Sequence, residues 1–155
     1  MRILDILDND FIISDLTAQN KKDVLQELTS VLVEKRKNIE QEPLVEILLE
    51  REKLGSTGIG DGIAIPHGKL KELDRIVASF GRSLKGLDFQ SMDGKPTFLF
   101  FLLVAPENSG GVHLKALARI SRLFKDVSFR KKLLEARSRE DIFQIITEED
   151  KKISD

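Results

Sequence analysis

Apolar residues along this chain change rhythm several times, and each rhythm predicts an element. From Asn20 the positions Val24, Leu25, Leu28, Val31 and Leu32 recur at helical spacing with lysines and glutamates between them, which predicts an amphipathic helix ending near Lys37 and Asn38. Pro43 then opens a second helix at its first position, where a missing amide costs nothing. Leu44, Ile47 and Leu48 form its inward stripe, and Gly55 serves as its C-terminal cap. Residues 97–105 are apolar without alternation, as expected of a central strand covered on both faces, and Pro106 ends them. Shorter strands are expected at 63–65, at 75–80, and at 11–14 within a leading segment where aspartates interrupt brief apolar runs; 86–88 and 92–95 read as turns. Further helices follow at 112–125, at 128–136 and from Ser138. There, Ser138 and Asp141 have the spacing of a capping box, and Ile142, Phe143 and Ile146 give the packing stripe. Residues 148–155 are charged and expected to fray. Helices flanking a sheet with a buried central strand predict an α/β layered sandwich, with helices on both faces. With no repeat or linker in the sequence, one domain is expected over 1–155, its core spanning about 3–147.

Composition narrows the function classes. The 155 residues contain no cysteine, which removes disulfides, thiolate metal sites and a cysteine nucleophile, and makes the cytoplasm the default location. Acidic residues break the amino terminus too early for a secretory signal, and the longest apolar run, 98–105, is too short to enter a membrane. A net charge of -1, from 25 basic and 26 acidic residues, gives no electrostatic bias toward nucleic acid. Tryptophan and tyrosine are absent, so the usual stacking platforms for single strands are missing as well.

The chemistry concentrates in residues 55–68, where five glycines, Pro66 and one of only two histidines, His67, fall together. Gly55 and Gly60 have the spacing of two P-loop glycines, but Asp61 and Gly62 stand where a lysine and a hydroxyl residue are required. A dinucleotide fingerprint fails because these glycines follow a helix and precede a strand, the reverse of the order that places a pyrophosphate on a helix N-terminus. Zinc could be held only with carboxylates from elsewhere, and no Gly-x-Ser-x-Gly elbow is present. What remains is His67 itself, fixed where a short strand ends at the surface. Arg51 lies on the same helical stripe as Ile47 and Leu48 and is carried toward the loop. His113, in the first turn of its helix on the line of Leu117, Ile120 and Phe124, is expected to be a neutral hydrogen-bond donor beside any anion placed there. One nucleophilic imidazole, one neutral donor and one guanidinium fork suit a phosphoryl group, whose negative charge must be neutralised.

The string from Arg51 to Leu70, Arg-Glu-Lys-Leu-Gly-Ser-Thr-Gly-Ile-Gly-Asp-Gly-Ile-Ala-Ile-Pro-His-Gly-Lys-Leu, resembles the loop of the mannitol/fructose-type enzyme IIA domains of the bacterial phosphoenolpyruvate-dependent phosphotransferase system. The segments starting at His113 (His-Leu-x-x-Leu-Ala) and at Asp141 (Asp-Ile-Phe-Gln-Ile-Ile-Thr) look like that family's second-histidine and closing helices, so the resemblance covers essentially the whole chain. Among the branches it is most like the nitrogen-regulatory enzyme IIA. The resemblance implies a mixed sheet flanked by helices, and a phosphoryl group accepted on His67 from a histidine phosphocarrier protein. It implies that His113 and Arg51 assist at the phosphate, that no cofactor or metal is needed, and that the downstream partner is a regulatory target such as a transporter or sensor kinase. The alternative is a fructose- or mannitol-specific component passing phosphate to a IIB domain for sugar uptake. The chain would act as a monomer or homodimer. Around the phosphate, Gly55, Gly58, Gly60 and Gly62 would let backbone amides approach and Ser56 and Thr57 would add hydroxyl donors. Ile59, Ile63 and Leu70 are the expected apolar docking rim.

Overall fold

The computed structural model describes residues 1–153. Two 3-10 turns, Ile3–Asp5 and Asn9–Phe11, lead into a two-residue strand, β1 (Ile12–Ile13). Helices α1 (Lys21–Lys35) and α2 (Gln41–Lys53) follow, then β2 (Gly58–Gly60), β3 (Ile63–Ala64), β4 (His67–Leu70), β5 (Val77–Leu87) and β6 (Thr97–Pro106), and finally α3 (Val112–Phe124), α4 (Val127–Glu135) and α5 (Arg139–Lys151). The strands form one mixed sheet in the order β1-β5-β6-β3-β2, with β4 also paired to β6. β5 runs antiparallel to β6, whereas β3 and β4 run parallel to it.

The central strand was legible because β6 is buried on both faces, as its unbroken apolar run requires. Neighbouring residues of β5 show which helices take which face. Ser79 donates its hydroxyl to the Leu28 carbonyl of α1, and the glycine at 81 leaves room only for the Leu16 and Leu28 side chains. Phe80, pointing the other way, packs with Phe101 of β6 and Phe124 of α3 at ring-centroid distances of 6.2 and 6.4 Å. Helices thus cover both faces of the sheet, around one hydrophobic core.

Several expectations shift. Pro43 is the third residue of α2, not the first; the first amide with an acceptor in that helix is that of Leu44, bonded to the Glu40 carbonyl, so a proline fits anywhere in the turn before it. β5 continues past the expected 75–80 to Leu87. The turn expected at 86–88 is instead an irregularity of that strand, with the register shifting between Arg82 and Leu87 and Gly86 at φ +77°. Arg82 is buried because its guanidinium donates to the carbonyls of Leu133 and Ala136, closing the C-terminal end of α4. The expected fraying from 148 onward also fails where it can be seen: α5 runs to Lys151, and Asp150 is 2% exposed. Its carboxylate accepts from Arg119 Nε of α3 at 2.6 Å and from the Ile3 amide at 2.7 Å, tying the leading and closing segments to the helix that carries His113. Residues 154 and 155 lie outside the described residues.

Candidate functional site

β3 and β4 are two pieces of one course alongside β6, since Ile63 lies opposite Leu99 and His67 opposite Leu103 at the same offset. Between them Pro66 has no amide to give, yet its carbonyl still accepts from Leu103 N at 2.9 Å. His67 therefore starts a new strand rather than ending one. Its ring is half-buried, and Nδ1 lies 2.9 Å from the Ile65 carbonyl oxygen. A carbonyl can only accept, so Nδ1 carries the proton and the Nε2 lone pair is left unprotonated in the neutral ring. Burial pushes the His67 pKa down, and the charges of Arg51 and His113 add to this; the Ile65 hydrogen bond and Glu52 pull the other way.

Helix α2 reaches this strand by close approach. At Gly68 a β-carbon would come within 3.0 Å of Ile47 Cγ2 and 3.4 Å of Leu48 Cδ2. Gly68→Ala is expected to push α2 outward and destabilise the protein by about 1–3 kcal/mol, the usual cost of overpacking. Chemical denaturation measures this; an unchanged midpoint would show that α2 yields freely.

The contact lays the end of α2 beside His67. A groove of about 400 Å³ runs there, lined by Ile47, Arg51 and Leu54 of the α2 end, His67 and Lys69 of β4, Leu103 of β6, and His113 and Leu117 of α3. Arg51 Nη1 donates to the Gly55 carbonyl at 2.9 Å, holding the guanidinium across the start of the loop. His113 and Leu117 are half-buried toward the groove, while the core line of α3 is Ala116, Ile120, Leu123 and Phe124. His113 Nδ1 lies 2.9 Å from the Gly110 carbonyl, so it too carries its proton there. The Nδ1 proton is thereby given to a backbone carbonyl within the chain. A larger polar cleft, about 860 Å³, opens between α1 and α2, and none of these three side chains lines it.

The structure brings His67, Arg51 and His113 together and leaves most of the expected loop contacts elsewhere. Gly60 and Ile63 pair across a tight hairpin whose corner, Asp61 and Gly62, has φ of 56° and 78°; both signs are those of a type I′ turn. Gly58, Gly60 and Gly62 pack against Ser91, Asp93 and Phe98, and none of them lines the groove. Ser56 donates to the Phe89 carbonyl and accepts from the Gly58 amide, and Thr57 gives its hydroxyl to Glu52, so both hydroxyls are already engaged in holding the loop to its neighbours. Of the expected rim only Ile59 is exposed, and it does not line the groove; Ile63 and Leu70 are 2% and 5% exposed and belong to the core. The apolar side chain standing out at the groove is Leu54, 84% exposed, with Leu114 next to His113 at 61%. Sequence reading missed Glu52, which is buried with Lys21 Nζ at 2.9 Å and Thr57 N at 3.1 Å.

A mixed six-stranded sheet flanked by helices thus carries a groove at which His67 of β4, Arg51 of α2 and His113 of α3 meet. The chain belongs to the family described as phosphoenolpyruvate-dependent sugar phosphotransferase system, EIIA 2, whose model matches residues 5–149. It is 45% identical over 146 residues to a nitrogen regulatory protein of Bradyrhizobium diazoefficiens, covering 94% of this chain and 95% of the relative. It is 39% identical over 151 residues to the fructose-specific EIIABC component of Bacillus subtilis, covering 97% of this chain but 24% of that longer protein. Among solved structures, the nitrogen regulatory protein IIA-Ntr of Neisseria meningitidis superposes with a TM-score of 0.87 at 36% identity, covering 94% of this chain and 99% of that one. No helix among the described residues is long and apolar enough to cross a membrane.

Proposed function

We propose that this protein accepts a phosphoryl group on Nε2 of His67 from the phosphohistidine of a histidine phosphocarrier protein and acts mainly as a regulatory component. The observation that carries this reading is the hydrogen bond from Nδ1 to the Ile65 carbonyl, which leaves Nε2 as the nucleophile. In the transfer the Nε2–phosphorus bond forms as the donor's nitrogen–phosphorus bond breaks, and the donor imidazole leaves with the electron pair. No proton has to leave His67, because its proton stays on Nδ1. The incoming group carries roughly two negative charges. Arg51 can swing from the Gly55 carbonyl to meet them in a planar fork. His113 lines the same groove and stands beside the arriving charge. The exposed Leu54 offers an apolar contact for docking proteins, and the shallow groove suits a macromolecular donor better than a small substrate.

Incubation with phosphoenolpyruvate, enzyme I and the phosphocarrier is expected to give one acid-labile phosphoryl group per chain, and no labelling would overturn the proposal. Since the attacking ring must be neutral and its pKa is depressed, the uptake rate is expected to be flat near neutrality and to fall only below the ordinary imidazole range. The same shift makes the ring's contribution to stability fully present above the unfolded pKa and lost as pH falls through the folded one. A rate that halves at or above the ordinary imidazole pKa would contradict the depressed value.

The regulatory reading is supported by the 45% identity to a nitrogen regulatory protein. Partners would then distinguish the two charge states of the groove, and a pull-down comparing wild type with His67→Ala and His67→Asp tests this; identical partners at equal affinity would count against a switch. The 39% identity to a fructose-specific component favours a second reading, in which phosphate passes on to a IIB domain. Transfer from the labelled protein to purified IIB domains separates the two.

A further inference from the structure

We infer that Glu52 is a positioning residue that fixes the tautomer of His67 through a continuous hydrogen-bonded path across the glycine loop. Glu52 sits in the last turn of α2, and its carboxylate is nearly closed to solvent, with a side-chain exposure of 4%. One oxygen accepts from Lys21 Nζ at 2.9 Å and from the Thr57 amide at 3.1 Å, and the other accepts from the Thr57 hydroxyl. Thr57, pinned in this way, offers its carbonyl to the Ile65 amide at 3.0 Å. The carbonyl of Ile65 in turn accepts from His67 Nδ1 at 2.9 Å. Each link holds the next: carboxylate to Thr57, Thr57 to Ile65, Ile65 to the imidazole.

The path explains why a carboxylate is buried beside a site meant for an anion. A negative charge near His67 disfavours an incoming phosphoryl group, so Glu52 would be a liability if its only effect were electrostatic. Its ion pair with Lys21 offsets that charge from the side of α2 that faces the polar cleft. What it gives in exchange is geometry. Without Glu52, Thr57 loses two of its contacts, the Thr57 carbonyl that holds the Ile65 amide is no longer fixed, and the ring is free to exchange its proton between nitrogens. A ring protonated on Nε2 has no lone pair to attack with. Glu52 touches no reacting atom in this scheme; it acts through Thr57 and Ile65.

This inference rests on the proposed role of His67 for its kinetic consequence, but the tautomer can be read on the unphosphorylated protein. Ring nitrogen-15 spectra of His67 are expected to show Nδ1–H in the wild type and a mixture of tautomers in Glu52→Ala. Phosphoryl uptake by that variant is expected to fall about tenfold to a hundredfold, as for displacements of roughly an ångström at a reacting group. Glu52→Gln should restore the tautomer and most of the rate, because an amide oxygen can accept from the Thr57 amide while its nitrogen donates to the Thr57 hydroxyl. A folded Glu52→Ala with wild-type tautomer overturns the inference, whether or not its rate falls. So does a Glu52→Gln as impaired as the alanine variant. If Glu52→Ala does not fold, Thr57→Val decides: a tautomer mixture that Thr57→Ser repairs supports the path, and an unaltered ring refutes it.

Discussion

Replacing His67 by alanine is expected to abolish phosphoryl uptake while leaving the protein folded. The imidazole is half-buried at the strand edge and makes one hydrogen bond, to the Ile65 carbonyl, so its removal costs about 1 kcal/mol of stability. The effect on uptake is total because the second imidazole is no substitute. His113 sits in the first turn of α3 with its proton committed to the Gly110 carbonyl, on the opposite wall of the groove from the end of α2. Labelling and thermal melts made side by side measure both quantities. Label retained in the alanine variant would move the acceptor away from His67, with His113 the first place to look.

Arg51→Ala is expected to lower the transfer rate by about a hundredfold to a thousandfold, on the scale of losing one charged donor from a site where charge develops. Its stability cost should be small, roughly 0.5–1.5 kcal/mol for the bond to the Gly55 carbonyl. Arg51→Lys should recover only part of the rate, since an ammonium cannot make the paired planar contacts of a guanidinium. Single-turnover transfer from phosphorylated carrier, with denaturation curves alongside, reads both. A large loss of stability with unchanged transfer would make Arg51 a helix-end brace and nothing more.

The parts of this site that were legible in the sequence are those carried by residue type and period. A long apolar run can only be a covered strand, which fixed β6, and helical spacing placed Arg51 one turn after Ile47 on the half-buried edge of α2 and His113 at the start of α3. The fully buried stripe of α2 is instead Leu44, Val45, Leu48 and Glu52. What the sequence did not reveal depends on partners far along the chain. β4 has a histidine, a glycine and a lysine among its four residues and no alternation; it is a strand because the edge of β6 is there to pair with. The same pairing turned His67 from the end of one strand into the start of another. Glu52 falls on the buried stripe of α2 with Val45 and Leu48, but the partners that satisfy a buried carboxylate, Lys21 in a different helix and Thr57 in the loop, are not visible in the helix's own sequence. Ile63 and Leu70 are expected at a docking rim as apolar residues flanking the loop, and only pairing with β6 puts them in the core. One signal was present and went unread: Asp61-Gly62 is a two-residue hairpin sequence, and it explains why the glycines on either side pack inward rather than cradle an anion.

The central claim is that the phosphoryl group is taken up by one nitrogen of one ring. Nitrogen-15-labelled protein, phosphorylated by phosphoenolpyruvate, enzyme I and the phosphocarrier, can be assigned through phosphorus–nitrogen couplings in the imidazole rings. The structure predicts a single phosphohistidine, coupled to Nε2 of His67, with Nδ1 keeping its proton toward Ile65. A coupling to Nδ1, a phosphoryl group on His113, or no phosphohistidine at all would contradict it.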